Sequence, residues 1–491
     1  MMITIALSAI LAATPCAGLR SLSLPDTTIT AAELKDAGPF TPPAQGPNAA
    51  AAILLPPHCR VAATIKPTPD SNIEIEVWMP AGAANWNGKF QAVGNGGWAG
   101  TISYAAMAAA LQDGYATAST DTGHKGGDSI FALGHPERVK DFAYRAVHEM
   151  TVKSKAIVWA FYDRGPRLSY WNGCSTGGKQ GLIEAQRYPE DFDGIISGAP
   201  ANNWTRQHAA DIVKGMDSLK DKGNFLPPAK IALLHDAVLD ACDAQDGVKD
   251  GILNDPRQCK FDPSTLACKG ASTDRCLTPA ELVAAKAGYA DTRLKNGELV
   301  FPGWPMGTEA TWATLAGVPE PLVMAQGMFK YATHQDQSWT WQTFDLDKEI
   351  AASDAAVGFI NAMNPDLTKF QTHGGKLLIY HGWADAVVSP GNTVNYFDSV
   401  LKKMGAKTGD TARLFMVPGM QHCNGGPGPN QMNYIGALER WREANVAPTA
   451  LLAEHVTANR VDMTRLVCPY PQIATYSGTG STNDAANFVC K

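Results

Sequence analysis

The stretch Gly173-Cys174-Ser175-Thr176-Gly177 sets a serine between two glycines in G-x-S-x-G spacing. A serine hydroxyl is a weak nucleophile until a base takes its proton, and the base is usually a histidine held by a carboxylate. Ahead of the motif, Arg167-Leu168-Ser169-Tyr170-Trp171 is aromatic and apolar enough for a strand. Behind it, Gly178 to Tyr188 carries Leu182, Ile183 and Ala185 at helical spacing, and Pro189 ends the run. Strand, tight turn and helix together form the context in which such a serine stands exposed above a sheet, and the glycines admit the strained backbone.

In this arrangement the partners follow the serine in the order acid, then histidine. Asp385 closes His381-Gly382-Trp383-Ala384-Asp385, just after the apolar run Leu377 to Tyr380. His422 lies in Pro418-Gly419-Met420-Gln421-His422-Cys423, after the run Ala412 to Val417. Both positions are loops at the carboxyl ends of strands, where a parallel sheet gathers its site. His124, His373 and His381 precede the acid or the serine and have the wrong order. Ser175, Asp385 and His422 are therefore expected to act as nucleophile, orienting acid and base. The oxyanion needs two backbone N–H groups. Thr176 supplies one by position, and the loop Gly94 to Gly100 supplies the other, with Gly96-Gly97 fitting best and Gly97 taken as the donor.

Cys174 adjoins the serine and Cys423 adjoins the histidine. If Ser175 and His422 meet, their neighbours fall within bridging range. A Cys174–Cys423 bridge would close a very long loop, worth on the order of 4–5 kcal/mol by chain entropy. A second cluster, Asp243, Asp246 and Asp250 with Gly247 and Gly251 between them, offers hard oxygen ligands at the short spacing that suits Ca²⁺. It lacks the terminal glutamate of an EF-hand, and Cys242 and Cys259 bracket it.

The elements that must position these groups alternate. Ile73 to Met79 has period two, Phe90 to Val93 runs into the glycine loop, and Tyr115 to Thr120 follows a helix near Tyr104 to Gln112. Ala143 to Tyr162 reads as a long helix leading to the serine strand, and Gly194 to Pro200 as the next strand. This predicts an α/β fold, a mainly parallel sheet with helices on both faces. From Asn202 to Gln371 the alternation fades among Trp, Pro, Gly and Asp residues, then resumes at Lys376. The expected organisation is a short signal segment to residue 15, a first core part over 16–201, a large inserted lid over 202–371 carrying the calcium loop, and a second core part over 372–491. Gly38 to Pro57 and the tail from Val467 read as irregular.

Composition narrows the setting. The chain has 491 residues, 45% of them hydrophobic, enough for a sizeable core, and its net charge of −6 gives no basic footprint for nucleic acid. Ile3 to Ala13 is apolar and ends in small residues like a signal peptide, too short to span a bilayer. The ten cysteines include no C-x-x-C pair, which points to disulfides and an oxidising compartment, so a secreted or periplasmic protein is expected, without membrane association.

Taken together, the Cys-Ser elbow, the late Asp, the His-Cys pair and the insertion resemble the tannase and feruloyl esterase family, from about Pro56 to Cys490. The resemblance implies an α/β-hydrolase fold and a serine carboxylesterase that splits feruloyl, cinnamoyl or galloyl esters of plant cell-wall or tannin origin through an acyl-enzyme. It implies structural calcium held by Asp243, Asp246 and Asp250 with the carbonyls of Val248 and Ile252. It also implies the bridges Cys16–Cys59, Cys242–Cys259, Cys268–Cys276 and Cys468–Cys490. Lid aromatics, among them Trp304, Trp312, Phe329, Trp339 and Phe344, are candidates for the acyl pocket or for lid core. A terephthalate monoester is a further substrate in the family, disfavoured by the lack of any Arg between Arg293 and Arg413. An acyltransferase on the same triad and a non-catalytic binding module on the same scaffold are the alternatives.

Overall fold

The computed structural model describes residues 13–43, 51–219, 226–314 and 320–491. The expected signal segment lies almost wholly outside these residues.

Nine strands form one sheet: β1 (Thr27–Lys35), β2 (His58–Ile65), β3 (Ile73–Pro80), β4 (Lys89–Val93), β5 (Ala116–Thr120), β6 (Leu168–Cys174), β7 (Gly194–Gly198), β8 (Lys376–Gly382) and β9 (Ala412–Val417). Across the sheet they run β1-β2-β3-β5-β4-β6-β7-β8-β9. The strands from β5 to β9 are parallel, and β1, β2 and β3 extend one edge antiparallel. The framework helices are α1 (Tyr104–Gln112), α2 (Ala146–Tyr162), α3 (Thr176–Arg187), α4 (Pro390–Met404) and α5 (Tyr434–Ala444).

Side chains that alternate along the parallel strands fall into two separate cores. Trp171, Ile195, Leu377, Ile379 and Leu414 face one layer, with Met150 of α2, Leu182 and Ile183 of α3 and Phe397 of α4. Tyr170, Ile196, Leu378, Tyr380 and Phe415 face the other, with Leu438 and Trp441 of α5. Period two in a strand covered on both faces is why these runs read as continuously apolar. Each such side chain contributes about 1.5–3 kcal/mol by leaving water.

β7 and β8 are neighbours in the sheet, and the described part of the chain between them adds no strand to it. The helices Trp204–Leu219, Pro228–Cys242, Pro279–Tyr289 and Leu346–Val357 in this segment contribute to two apolar clusters, one of them shared with Trp98, Phe131 and Phe142. The helix at Pro279 starts on a capping box, with the Thr278 hydroxyl accepting from the Glu281 amide and the Glu281 carboxylate from the Thr278 amide. Trp304 and Trp312 are buried with Leu234, Ala284 and Ala285, so these two belong to the core of the insertion rather than to a pocket wall.

Three local expectations differ from the structure. Gly38–Phe40 pairs with Ile53–Leu55 in a short ladder where irregular chain was expected. Within the tail, Ala474–Tyr476 pairs with Phe488–Cys490, closed by the Cys468–Cys490 bridge. The sequence reading does not anticipate β1 and β2. β1 is a half-exposed edge strand, and the alternation of β2 rests partly on Cys59 and Ala63, which are too small to mark a buried face.

Candidate active site

Ser175 occupies the turn between β6 and α3 with φ 63° and ψ −121°. A non-glycine residue holds that backbone only where its surroundings enforce it. They do so here: the Ser175 amide donates to the Gly198 carbonyl at 2.9 Å and the Gly177 amide to the Asn95 carbonyl at 2.8 Å. Gly173 and Gly177 pack so tightly that a Cβ on Gly173 would sit 2.6 Å from the Gly177 carbonyl oxygen. The elbow therefore needs these glycines by contact, while the left-handed backbone falls on Ser175 itself.

The glycine loop after β4 is latched to this elbow. The Thr176 hydroxyl donates to the Gly97 carbonyl at 2.8 Å, and Gly97 takes φ +55°. Thr176 heads α3, where first-turn N–H groups have no acceptor within the helix. The next residue in the loop, Trp98, donates its indole N–H to the Met324 carbonyl of the insertion at 3.2 Å.

Asp385 lies in the loop after β8 and is wholly buried. Its Oδ1 accepts from the Val387 and Val388 amides at 2.8 and 3.0 Å, and its Oδ2 lies 2.7 Å from His422 Nδ1. Burial pushes this carboxyl up, but the His422 charge and the hydrogen bonds from His381 and His422 outweigh it and hold the group well below the usual carboxylate range. An ionised carboxylate only accepts, so Nδ1 of His422 carries the proton and Nε2 is left as a proton acceptor. The His422 side chain is 23% exposed, so its ring is reachable from solvent.

Cys174 and Cys423 are disulfide-bonded, with Cα atoms 5.9 Å apart across 249 residues of sequence. The bridge ties the serine turn directly to the histidine loop. The other eight cysteines pair as Cys16–Cys59, Cys242–Cys259, Cys268–Cys276 and Cys468–Cys490.

A family model, tannase and feruloyl esterase, matches residues 59–491. The chain belongs to the tannase and feruloyl esterase family. It is 36% identical to an uncharacterised esterase of Xanthomonas campestris over 98% of this chain and 91% of that protein. It is 33% identical to a probable feruloyl esterase B-2 of Aspergillus terreus, over 88% of this chain and 86% of that one. The crystal structure of feruloyl esterase B from Aspergillus oryzae superposes with a TM-score of 0.89 at 29% identity, covering 96% of this chain and 98% of the other. The fold is thus that of the α/β-hydrolase esterases, and the protein is a carboxylic ester hydrolase.

Two groups beside this family site escaped the sequence reading. His381, set aside by chain order, is buried with Nε2 3.0 Å from both Asp385 Oδ2 and the Val388 carbonyl. Two acceptors there place the proton on Nε2, and the Thr393 hydroxyl at 2.8 Å can then donate to Nδ1. Its position after an apolar run was the only signal. Lys179 in α3 is fully buried, with its ammonium 4.5 Å from the Phe142 ring centre and 4.9 Å from that of Trp204. Burial lowers its pKa to about 7. Nothing in the sequence marks this lysine as an interior one. Of the rival histidines, His124 donates from Nε2 to the Trp98 carbonyl at 2.6 Å and stacks on Phe131. His373 caps the short helix Thr368–Thr372.

The acidic turn folds around Asp243. Its carboxylate accepts from the amides of Asp250, Gly251 and Ile252 at 3.0–3.3 Å. Asp246 accepts from the Val248 amide at 3.0 Å, while Asp250 turns one oxygen to Arg465 at 2.8 Å. Burial raises the Asp246 carboxyl, the Val248 amide opposes it, and the charges of Asp250 and Asp243 add to the rise. A cavity of about 230 Å³ opens beside Asp243 and Asp246, edged by Asn254 and Asp255. An all-oxygen donor set with excess negative charge fits a hard cation.

Proposed function

We propose that this protein is a secreted serine carboxylesterase that hydrolyses esters of hydroxylated aromatic acids through an acyl-enzyme on Ser175. The observation that carries the reading is the Cys174–Cys423 bridge, which joins the serine turn to the loop of the imidazole that Asp385 holds at 2.7 Å. In this reading the Ser175 hydroxyl oxygen attacks the ester carbonyl as His422 Nε2 takes its proton. The N–H groups of Thr176 and Gly97 stabilise the oxyanion. Collapse of the tetrahedral species expels the alcohol, which receives the proton from His422. Water then repeats the sequence on the acyl-enzyme and releases the acid.

The aromatic acyl group is supported by the relatives called feruloyl esterase B. Phe329, Trp339 and Phe344 pack in the same apolar cluster as Trp98, the residue after Gly97. Export is supported by the absence of free cysteines among the described residues. Calcium would be held by Asp243, Asp246 and Asp250 with the carbonyls of Val248 and Ile252, as a structural ion with no part in the chemistry. Hydrolysis rates on methyl ferulate, methyl caffeate, methyl gallate and a terephthalate monoester test the substrate class. Turnover of the monoester alone would overturn it.

A further inference from the structure

On α3, beyond the elbow, Glu184 is only 1% exposed, and neither of its carboxylate oxygens has a hydrogen-bond donor among the described residues. The group facing it is another acid, Asp191, in the loop between α3 and β7. Asp191 Oδ2 lies 2.6 Å from His148 Nδ1 of α2, and the His148 ring stacks on Tyr188 at 3.9 Å. One ligand atom each from His148, Glu184 and Asp191 lies within 4.8 Å of the other two. Burial drives the Glu184 carboxyl well above its usual range, the Asp191 charge adds to this, and Lys155, which donates to the Asp191 carbonyl, opposes it.

Two buried acids in contact are relieved by a shared proton or by a cation. A shared proton serves one oxygen of Glu184 and leaves the other without a partner. A cation can engage both, and it also finds an imidazole nitrogen within reach. The cluster is not sealed: the side chains of His148 and Asp191 are 29% and 12% exposed, which gives an ion an entry path. One nitrogen and two carboxylates suit a borderline divalent ion better than calcium, whose shell is all oxygen.

We propose that His148, Glu184 and Asp191 form a structural site for a divalent first-row transition ion, Zn²⁺ by preference, which clamps α2 to the end of α3. The site is separate from the acidic turn at Asp243 and from the esterase chemistry.

The test uses the full chain, stripped of metal and returned to excess Ca²⁺, titrated with Zn²⁺ by calorimetry at neutral pH. Wild type is expected to take up one Zn²⁺ at this site and to melt higher when it is bound. Glu184→Gln keeps the shape of the side chain. It should weaken that binding by more than about 100-fold, the upper end of what losing an outer-shell partner costs. It should also abolish the rise in melting temperature while metal-free ester hydrolysis stays at the wild-type rate. Co²⁺ provides a second readout, a ligand-field absorption present in wild type and lost in Glu184→Gln and in His148→Gln. Failure of wild type to bind Zn²⁺ stoichiometrically overturns the proposal. So does wild-type affinity in Glu184→Gln or, if that variant does not fold, in the part-exposed His148→Gln. A metal-indifferent wild type with a Glu184→Gln variant that melts higher would identify a shared proton instead.

Discussion

His381 Nε2 lies 3.0 Å from the Asp385 oxygen that also lies 2.7 Å from His422 Nδ1. Two imidazoles thus share one buried carboxylate oxygen, and only His422 reaches solvent. In this reading His381 is a positioning residue: it fixes the direction in which Asp385 presents its remaining lone pair.

His381→Leu removes that second donor and leaves the Thr393 hydroxyl and the Val388 carbonyl without their partner. The expected result is a kcat lower by on the order of 10²-fold, from misplacement of the His422 ring, with a stability loss of about 1–3 kcal/mol. Steady-state kinetics on methyl ferulate and denaturant titration check both. An unchanged kcat with lowered stability would reduce His381 to a structural role.

The bridge between Cys174 and Cys423 should matter to both chemistry and folding. Replacing both cysteines by Ala frees a loop of 249 residues in the unfolded chain, a loss on the order of 5 kcal/mol in the chain-entropy account. The His422 loop also loses its anchor to the serine turn, so kcat should fall at temperatures where the fold is still intact. Circular dichroism beside activity separates the two effects, and full activity in the folded double variant would contradict the clamp.

Lys179 gives a pH dependence whose sign is fixed. Its folded pKa of about 7 lies below the ordinary lysine value of 10.5, so between these values the unfolded chain binds more protons at this site than the folded one. Stability from this group therefore rises with pH across that window, and below it the cost of the buried charge is present in full. Lys179→Met is expected to raise the denaturation midpoint, more so below pH 7 than near pH 10. A fall of equal size at both would show that the contacts with Phe142 and Trp204 outweigh the burial of the charge.

Calcium removal should act on stability alone. Chelation is expected to lower the melting temperature, with recovery on adding Ca²⁺, and Asp246→Asn should show neither response. A melting temperature indifferent to chelator would remove the ion from the Asp243 turn.

Much of this was legible in the sequence because the informative features are local. The elbow announces itself through glycines that touch, Gly173 and Gly177, and the parallel strands through runs that are apolar because both faces are covered. The adjacency of Cys174 to Ser175 and of Cys423 to His422 carried the one long-range contact. Features that depend on tertiary surroundings were not legible. His381 acquires its role from where the β8 loop folds back, Lys179 becomes an interior lysine only through the packing of Phe142 and Trp204, and Trp304 and Trp312 turn inward because the insertion builds its own core. β1 and β2 were missed because an exposed edge and small buried residues erase the period-two signal.

The central claim is that Ser175 is the nucleophile. A fluorophosphonate probe followed by peptide mass spectrometry tests it most directly. One adduct per chain on Ser175, with none on Ser175→Ala and its turnover lost, is the expected outcome. A labelled serine elsewhere, or an Ala variant that still hydrolyses methyl ferulate, would contradict the account.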